Sequence, residues 1–217
     1  MNKFRNKYRI ASHRKPGWDY SANGLYYITL VTQHRICNLG DVVDSKMKLS
    51  DFGKIVHQEW LKSFEIRAEL FCDEYVIMPN HLHAIVEINK PVDTHGQIVD
   101  SHGRAYQRRN EPLPQINSTE PIEPLNQKKR NMPVRLPKSI SSFIAGFKSA
   151  VNTKIDDYID LHQLNIPKYN RNNHFFQSNY HDRIIRNEME YQRIKKYIIN
   201  NPYCWKTDKL NNKSLAP

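Results

Sequence analysis

Two histidines separated by one residue, His81 and His83, stand in a run of strand-forming residues between Tyr75 and Ile88. On an extended chain successive side chains point to opposite faces, so the two imidazoles lie side by side while Leu82 points into the core. Two neighbouring imidazoles make half of a site for a divalent transition ion, with open positions for a water or phosphate oxygen. Because many such pairs are ordinary partly buried histidines, this prediction needs support from elsewhere in the chain.

Tyr197 and Asn201 are four residues apart in a segment that we predict to be a helix, so they share one face of it. A phenol with the ordinary pKa of about 10 is a weak nucleophile at neutral pH. A divalent ion on a scissile phosphate compensates for that weakness, and the Asn201 carbonyl could complete its ligand shell. The alternative is that Tyr197 is one of twelve ordinary tyrosines and Asn201 a helix-end amide.

The elements that must position these residues follow from β-branched and aromatic runs and from helical spacing. The order of elements matches an α+β fold, a ferredoxin-like antiparallel sheet with helices packed mainly on one face. Because that layout hosts many functions, it does not select one. The predicted elements are a strand over 24–32, a helix capped at Ser50 or Asp51, a hairpin of strands over 71–78 and 81–88, a helix over 136–151, an extended segment over 175–186, and a helix capped by Asn187 that stops at Pro202.

Lysine and arginine outnumber aspartate and glutamate by 33 to 22, and the net charge of +11 favours a polyanionic partner such as nucleic acid. We see neither a transmembrane run nor a secretory signal, so we expect no membrane contact and a cytoplasmic location. The three cysteines lack the paired spacing of a disulfide framework or a zinc knuckle. The length predicts a single domain over 1–217, with a flexible insertion at 89–135 and a short tail after 205.

Several segments together resemble the HUH single-strand endonucleases, in particular the REP-associated tyrosine transposases of bacteria, which are relatives of the single-tyrosine insertion-sequence transposases. The similarity covers most of the chain outside 89–135 and the tail. Its most specific part is Met-Pro-Asn-His-Leu-His followed downstream by Tyr-Ile-x-x-Asn-Pro. The segments are Trp18–Thr29, Leu49–Ile55, Val76–His83, Gly146–Ala150, Gln177–Arg186 and Tyr197–Pro202.

The resemblance implies a metal-dependent, transposase-type endonuclease and strand transferase that acts on single-stranded or hairpin DNA such as a REP-like palindrome. It implies that His81 and His83 hold Mg²⁺ or Mn²⁺, with Asn201 as third ligand. Tyr197 would attack a phosphodiester to give a 5′-phosphotyrosine intermediate and a free 3′-hydroxyl. It further implies a bacterial, nucleoid-associated protein, and we expect a monomer rather than a homodimer.

Three basic residues fall in segments that should border this site. We predict that Lys148, Arg183 and Arg186 hold DNA phosphates. Phe176 or Tyr180 could stack on a base, although a role in the core is the favoured interpretation.

Two alternatives stay open. One is a hairpin DNA or RNA binding module without catalysis, although the aromatic pattern of an RNA-recognition domain is missing from the strands. The other is a metal hydrolase that uses the histidines to activate water and releases its product without a covalent protein–DNA species.

Overall fold

In a computed structural model of the protein, residues 18–90 and 136–211 are described, together with the backbone of two short strands, Lys3–Phe4 (β1) and Lys7–Tyr8 (β2). The predicted insertion at 89–135 lies outside these residues except for Asn89 and Lys90, as does the predicted tail beyond Asn211. None of the described helices combines the length and the apolar content that crossing a bilayer requires.

The described elements follow the predicted order. The remaining ones are, along the chain, Gly24–Val31 (β3), Gly40–Val43 (β4), Lys46–Leu49 (β5), Asp51–Glu65 (α1), Leu70–Met78 (β6), His81–Ile88 (β7), Ile140–Leu161 (α2), His181–Ile185 (β8) and Glu188–Asn200 (α3). Strands β3, β6, β7 and β8 form one antiparallel sheet in the spatial order β6-β7-β3-β8. This is the order of a ferredoxin-like β-α-β-β-α-β unit, and it confirms the predicted class.

Each helix begins at a polar side chain that satisfies a backbone N–H of the first turn. The Ser50 hydroxyl accepts from the Gly53 N–H at 3.0 Å before α1, and the Asn187 side chain accepts from the Glu190 N–H at 2.8 Å before α3. Helix α2 begins with a reciprocal capping box between Ser139 and Ser142. It runs ten residues beyond the predicted end at 151, because its buried apolar stripe continues through later turns.

Alternate residues of each strand face two different layers. Helices α1 and α2 cover one face, where the large core lies, and α3 covers the other, so the helices do pack mainly on one face. The large core takes from the two central strands Tyr26, Ile28, Leu30, Leu82, Ala84, Val86 and Ile88, and from α2 Ile140, Phe143, Ile144, Phe147, Val151, Ile155 and Ile159. On the opposite face Ile85 and Ile185 meet Ile194 and Ile198 of α3.

Two details differ from the sequence-based expectation. Strands β4 and β5 form a separate two-stranded hairpin between β3 and α1 that the pattern did not reveal, since four-residue strands carry little periodicity. The extended segment over 175–186 is regular strand only in β8, preceded by an isolated bridge between Phe176 and Thr32. Phe176 and Tyr180 both pack in or against the large core, which confirms the favoured interpretation of these aromatics.

Candidate active site

The two histidines lie next to each other at the start of β7, on the sheet face that α3 covers. Their ring centroids are 4.5 Å apart, and both side chains are buried, His81 at 0% and His83 at 3% exposure. Leu82 between them lies in the core on the other face, as the strand alternation predicts.

The imidazole of His81 is held in one tautomer. Its Nδ1 lies 2.8 Å from the side-chain oxygen of Asn80, which can only accept, so Nδ1 carries the proton. The Asn80 amide is itself oriented, since its Nδ2 donates to the carbonyls of Arg35 at 3.1 Å and Leu210 at 2.8 Å. The lone pair of His81 is therefore on Nε2, a buried atom without a hydrogen-bond partner among the described residues.

His83 is anchored by hydroxyl groups of the neighbouring strand. Its Nδ1 lies 2.8 Å from both the Tyr27 hydroxyl and the Thr29 hydroxyl of β3, and the Tyr27 ring stacks on the imidazole. Two oxygens on Nδ1 leave Nε2 as the nitrogen that faces the site. An imidazole held through one nitrogen so that the other can bind an ion is the usual arrangement in metal sites.

The phenol of Tyr197 reaches this pair from α3. Its hydroxyl lies 3.3 Å from Nε2 of His83, and the two ring centroids are 5.2 Å apart. The side chain is 44% exposed, so the hydroxyl sits at the boundary between the buried imidazoles and solvent. One turn further along, Asn201 is 1% exposed, and its position beside Tyr197 follows from their four-residue spacing.

Asp208 adds a carboxylate at the same place. Its Oδ2 accepts from the Tyr197 hydroxyl and from Nδ2 of Asn201, each at 3.4 Å. With its Nδ2 turned toward Asp208, the Asn201 amide leaves its Oδ1 buried and without a hydrogen-bond donor among the described residues.

These partnerless atoms bear on whether a metal ion fits. His81 Nε2 and Asn201 Oδ1 are lone-pair atoms that no described donor satisfies, and His83 Nε2 faces the same region. Within residues 18–90 and 136–211 no three histidine, cysteine, aspartate or glutamate side chains are grouped as a metal site would require. A site here would therefore need the amide of Asn201, and two imidazole nitrogens with an amide oxygen are suitable ligands for a divalent ion.

Burial sets the protonation of the site. It lowers the pKa of His81 to about 4, against the opposing effects of the Asp208 charge and the Asn201 amide. Burial also holds the pKa of His83 well below its usual value, and the neighbouring His81 adds to that effect. Burial and the charge of Asp208 raise the pKa of Tyr197. At neutral pH both imidazoles are thus neutral, as metal ligation requires, and Tyr197 is a protonated phenol.

The three predicted DNA contacts lie at different places. Arg183 of β8 is opposite Tyr27 in the register, on the face of the site, with an exposed side chain that pairs with Glu190 at 2.6 Å. Arg186 follows the end of β8, about 16 Å along the strand from the level of His83. Lys148 of α2 belongs to the helical layer of the other face, where its amine donates to the carbonyls of Gln177, Ser178 and Asn179. The structure brings only Arg183 of these three to the site.

Four residues at the site were missed by the sequence-based prediction, namely Tyr27, Thr29, Asn80 and Asp208. Strand alternation could have placed Tyr27 and Thr29 on the histidine face, given the pairing of β3 with β7. Nothing in the local sequence points to Asp208, since it lies in the tail that we set apart from the motifs.

Comparison with known proteins found similarities at low sequence identity. No family model matches the chain. It is 28% identical over 209 residues to an uncharacterized protein of Haemophilus influenzae. The aligned region spans 94% of this chain and 97% of that protein. It is also similar to the solved structure of a REP-associated tyrosine transposase bound to a REP hairpin, at 14% identity, with 92% of this chain and 77% of the other covered and a TM-score of 0.49.

A candidate transposase from Deinococcus radiodurans is a second similar structure, at 14% identity, with 87% of this chain and 97% of the other covered and a TM-score of 0.37. Similarity at this level does not reveal an activity, which must be argued from the geometry of the site.

Proposed function

We propose that the protein is a metal-dependent endonuclease and strand transferase of the transposase type, which acts on single-stranded or hairpin DNA through a covalent phosphotyrosine. One observation carries the proposal: the Tyr197 hydroxyl lies 3.3 Å from the outward nitrogen of His83, beside the second imidazole of His81. The nucleophile thus lies beside two neutral imidazoles. Tyr197 and His83 are 114 residues apart in the sequence.

His81 Nε2, His83 Nε2 and Asn201 Oδ1 are the atoms that would hold Mg²⁺ or Mn²⁺. When bound, such an ion polarises a phosphodiester and neutralises the charge that develops on its oxygens. Tyr197 would form the bond to phosphorus as the bond to the 3′-oxygen breaks, which leaves a 5′-phosphotyrosine and a free 3′-hydroxyl. The phenol arrives protonated, since its pKa is raised, so its proton must leave during the attack while the departing 3′-oxygen takes one up.

The described residues supply the whole constellation from one chain. Tyr197 reaches the histidines of its own sheet, so the proposed reaction requires no helix from a second subunit, which favours a monomer. The net charge of +11 and the exposed Arg183 on the site face suit a DNA backbone. A REP-like hairpin with an unpaired flank is the first substrate to test.

The test is a search for the covalent adduct. The protein is incubated with Mn²⁺ and a pool of hairpin-bearing oligonucleotides labelled at the 3′ end, because the 5′-phosphate fragment is the one that tyrosine would retain. A denaturing gel should show a labelled protein–DNA species, and mass spectrometry should place the nucleotide on Tyr197. Tyr197→Phe should abolish the adduct while DNA binding persists.

Matched controls separate this reaction from its alternatives. Tyr203→Phe removes a hydroxyl from a nearby tyrosine that is 78% exposed, and it should leave the adduct unchanged. Chelator and His81→Ala should each prevent adduct formation. Cleavage without a covalent species would identify a hydrolase, and tight hairpin binding without any cleavage would identify a binding module. Persistence of the adduct in Tyr197→Phe would show that another residue is the nucleophile.

A further inference from the structure

The chain returns to the site after α3 in a segment that we call the C-terminal strap, residues 204–211. The strap is held near its C-terminal end by two contacts: Arg35 donates to the Lys209 carbonyl at 3.3 Å, and Asn80 donates to the Leu210 carbonyl at 2.8 Å. Near its start the ring of Trp205 lies 5.9 Å from that of His81. The strap therefore forms one wall of the site.

Asp208 is held in position by the strap itself. Its Oδ1 accepts from the Leu210 N–H at 2.6 Å, which leaves Oδ2 facing α3, and the residue is 9% exposed. That single oxygen accepts from both the Tyr197 hydroxyl and the Asn201 amide. The Tyr197 hydroxyl and the Asn201 amide thus share one acceptor, Oδ2 of Asp208.

The contact with Asn201 determines which end of its amide faces the histidines. A primary amide has a donating and an accepting end of almost the same shape, so packing alone does not distinguish them. A carboxylate oxygen accepts only, and it therefore selects the orientation in which Nδ2 points to Asp208 and Oδ1 points away from it. Only that orientation presents a lone pair to a cation.

The contacts form a continuous series along one side of the site. His81 is oriented by Asn80, Asn80 holds the strap at Leu210, Leu210 holds Asp208, and Asp208 holds Asn201 and Tyr197. His81, Asn201 and Tyr197 are therefore connected through the strap, and His83 joins them through its contact with Tyr197. Partners of this kind behind a metal ligand typically change the metal affinity by 10-fold to 100-fold when removed.

We propose that Asp208 is a positioning residue, which orients the Asn201 amide as a metal ligand and holds the Tyr197 hydroxyl beside it. The inference rests on the proposed function, since it assumes that His81, His83 and Asn201 bind a divalent ion. It assigns to the C-terminal strap a part in building the site, and it does not make Asp208 itself a ligand.

The experiment measures the affinity of the full chain for Mn²⁺ without DNA, by titration followed with electron paramagnetic resonance. Asp208→Ala should weaken Mn²⁺ binding about 10-fold, because the amide is then free to turn. Asp208→Asn should also weaken binding, since its one carbonyl oxygen cannot accept from both the Leu210 N–H and the Asn201 amide. Thr207→Ala, which alters an exposed neighbour in the same strap, should have no effect. Unchanged Mn²⁺ affinity in Asp208→Ala would overturn the inference.

A double-mutant cycle supplies the second readout. In an Asn201→Ala background, Asp208→Ala should cause no further loss of Mn²⁺ affinity, because the residue that it orients is gone. Additive losses would overturn the inference even if Asp208→Ala also loosens the fold.

The two proposals fail differently. If His81→Ala does not weaken Mn²⁺ binding, the proposed metal site is wrong, and so is that part of the proposed function. If Mn²⁺ binding depends on His81 but is equal in the wild type and Asp208→Ala, only the role of Asp208 is wrong.

Discussion

The two faces of the sheet are made by the same strands and differ in what they bury. Toward α1 and α2 the central strands present an apolar surface that includes Tyr26, Leu30 and Leu82, each fully buried. Toward α3 the same strands present Thr29, His81 and His83, which are almost as buried but polar. Burying polar groups costs free energy unless they are hydrogen-bonded, and the Nε2 of His81 has no described partner. One face is therefore organised for stability, and the other accepts a cost that a bound ion would offset.

The largest effect should come from the apolar face. Leu82→Ala removes a fully buried side chain between the two histidines and should lower the free energy of unfolding by about 2–5 kcal/mol. Because Leu82 points away from the site, the fraction that remains folded should still form the DNA adduct. Urea denaturation and the gel assay measure the two quantities. A loss below about 1 kcal/mol, or a folded protein without activity, would contradict the division between faces.

The polar face should show itself in the pH dependence of stability. The pKa of His81 is about 4 in the folded protein and about 6.5 in the unfolded chain, so acidification protonates the unfolded state first. The metal-free protein should lose about 3 kcal/mol between pH 6.5 and pH 4 through this group, and its contribution should be constant above pH 6.5. His83 adds a loss of the same sign.

Denaturant unfolding at several pH values checks this prediction. His81→Gln should show a shallower decline than the wild type, since its side chain does not titrate. A variant curve parallel to that of the wild type across this range would contradict the burial of a neutral imidazole at this position.

A neighbouring pair of tyrosines offers a direct test of the alternation. Tyr27→Phe removes a hydroxyl from Nδ1 of His83 and should weaken Mn²⁺ binding by up to about 10-fold. Tyr26→Phe is the matched control, because the Tyr26 hydroxyl donates to the Ala22 carbonyl on the other face and should not affect the ion. Equal effects of the two substitutions on Mn²⁺ affinity would mean that the faces are not energetically separate.

The smallest effect concerns DNA affinity. Arg183→Ala should weaken binding of a single-stranded hairpin oligonucleotide a few-fold, about 1 kcal/mol, since its charge is partly neutralised by Glu190. Lys148→Ala should leave binding unchanged, because this amine lies in the opposite helical layer and donates to backbone carbonyls. Fluorescence anisotropy at a fixed salt concentration compares them. A larger loss of DNA affinity for Lys148→Ala than for Arg183→Ala would indicate that DNA binds on the side of α2, opposite the proposed site.

Local patterns were sufficient for most of the elements, although not for β4 and β5, and for the two halves of the site. The Ser50 and Asn187 caps predicted helix starts that the structure confirms, whereas the apolar spacing in α2 predicted the helix but placed its start at 136 instead of Ile140. The alternation around Leu82 predicted that His81 and His83 would be adjacent. These features depend on residues a few positions apart, where backbone geometry is nearly independent of the rest of the fold.

The sequence alone determined the antiparallel α+β plan, the paired imidazoles and the shared helix face of Tyr197 and Asn201. Only the tertiary structure decided that α3 covers the histidine face, that Asp208 and Asn80 join the site, and that Lys148 does not. The physical reason is that these contacts join residues far apart in the chain. Their geometry is set by how whole layers pack, which no local spacing records.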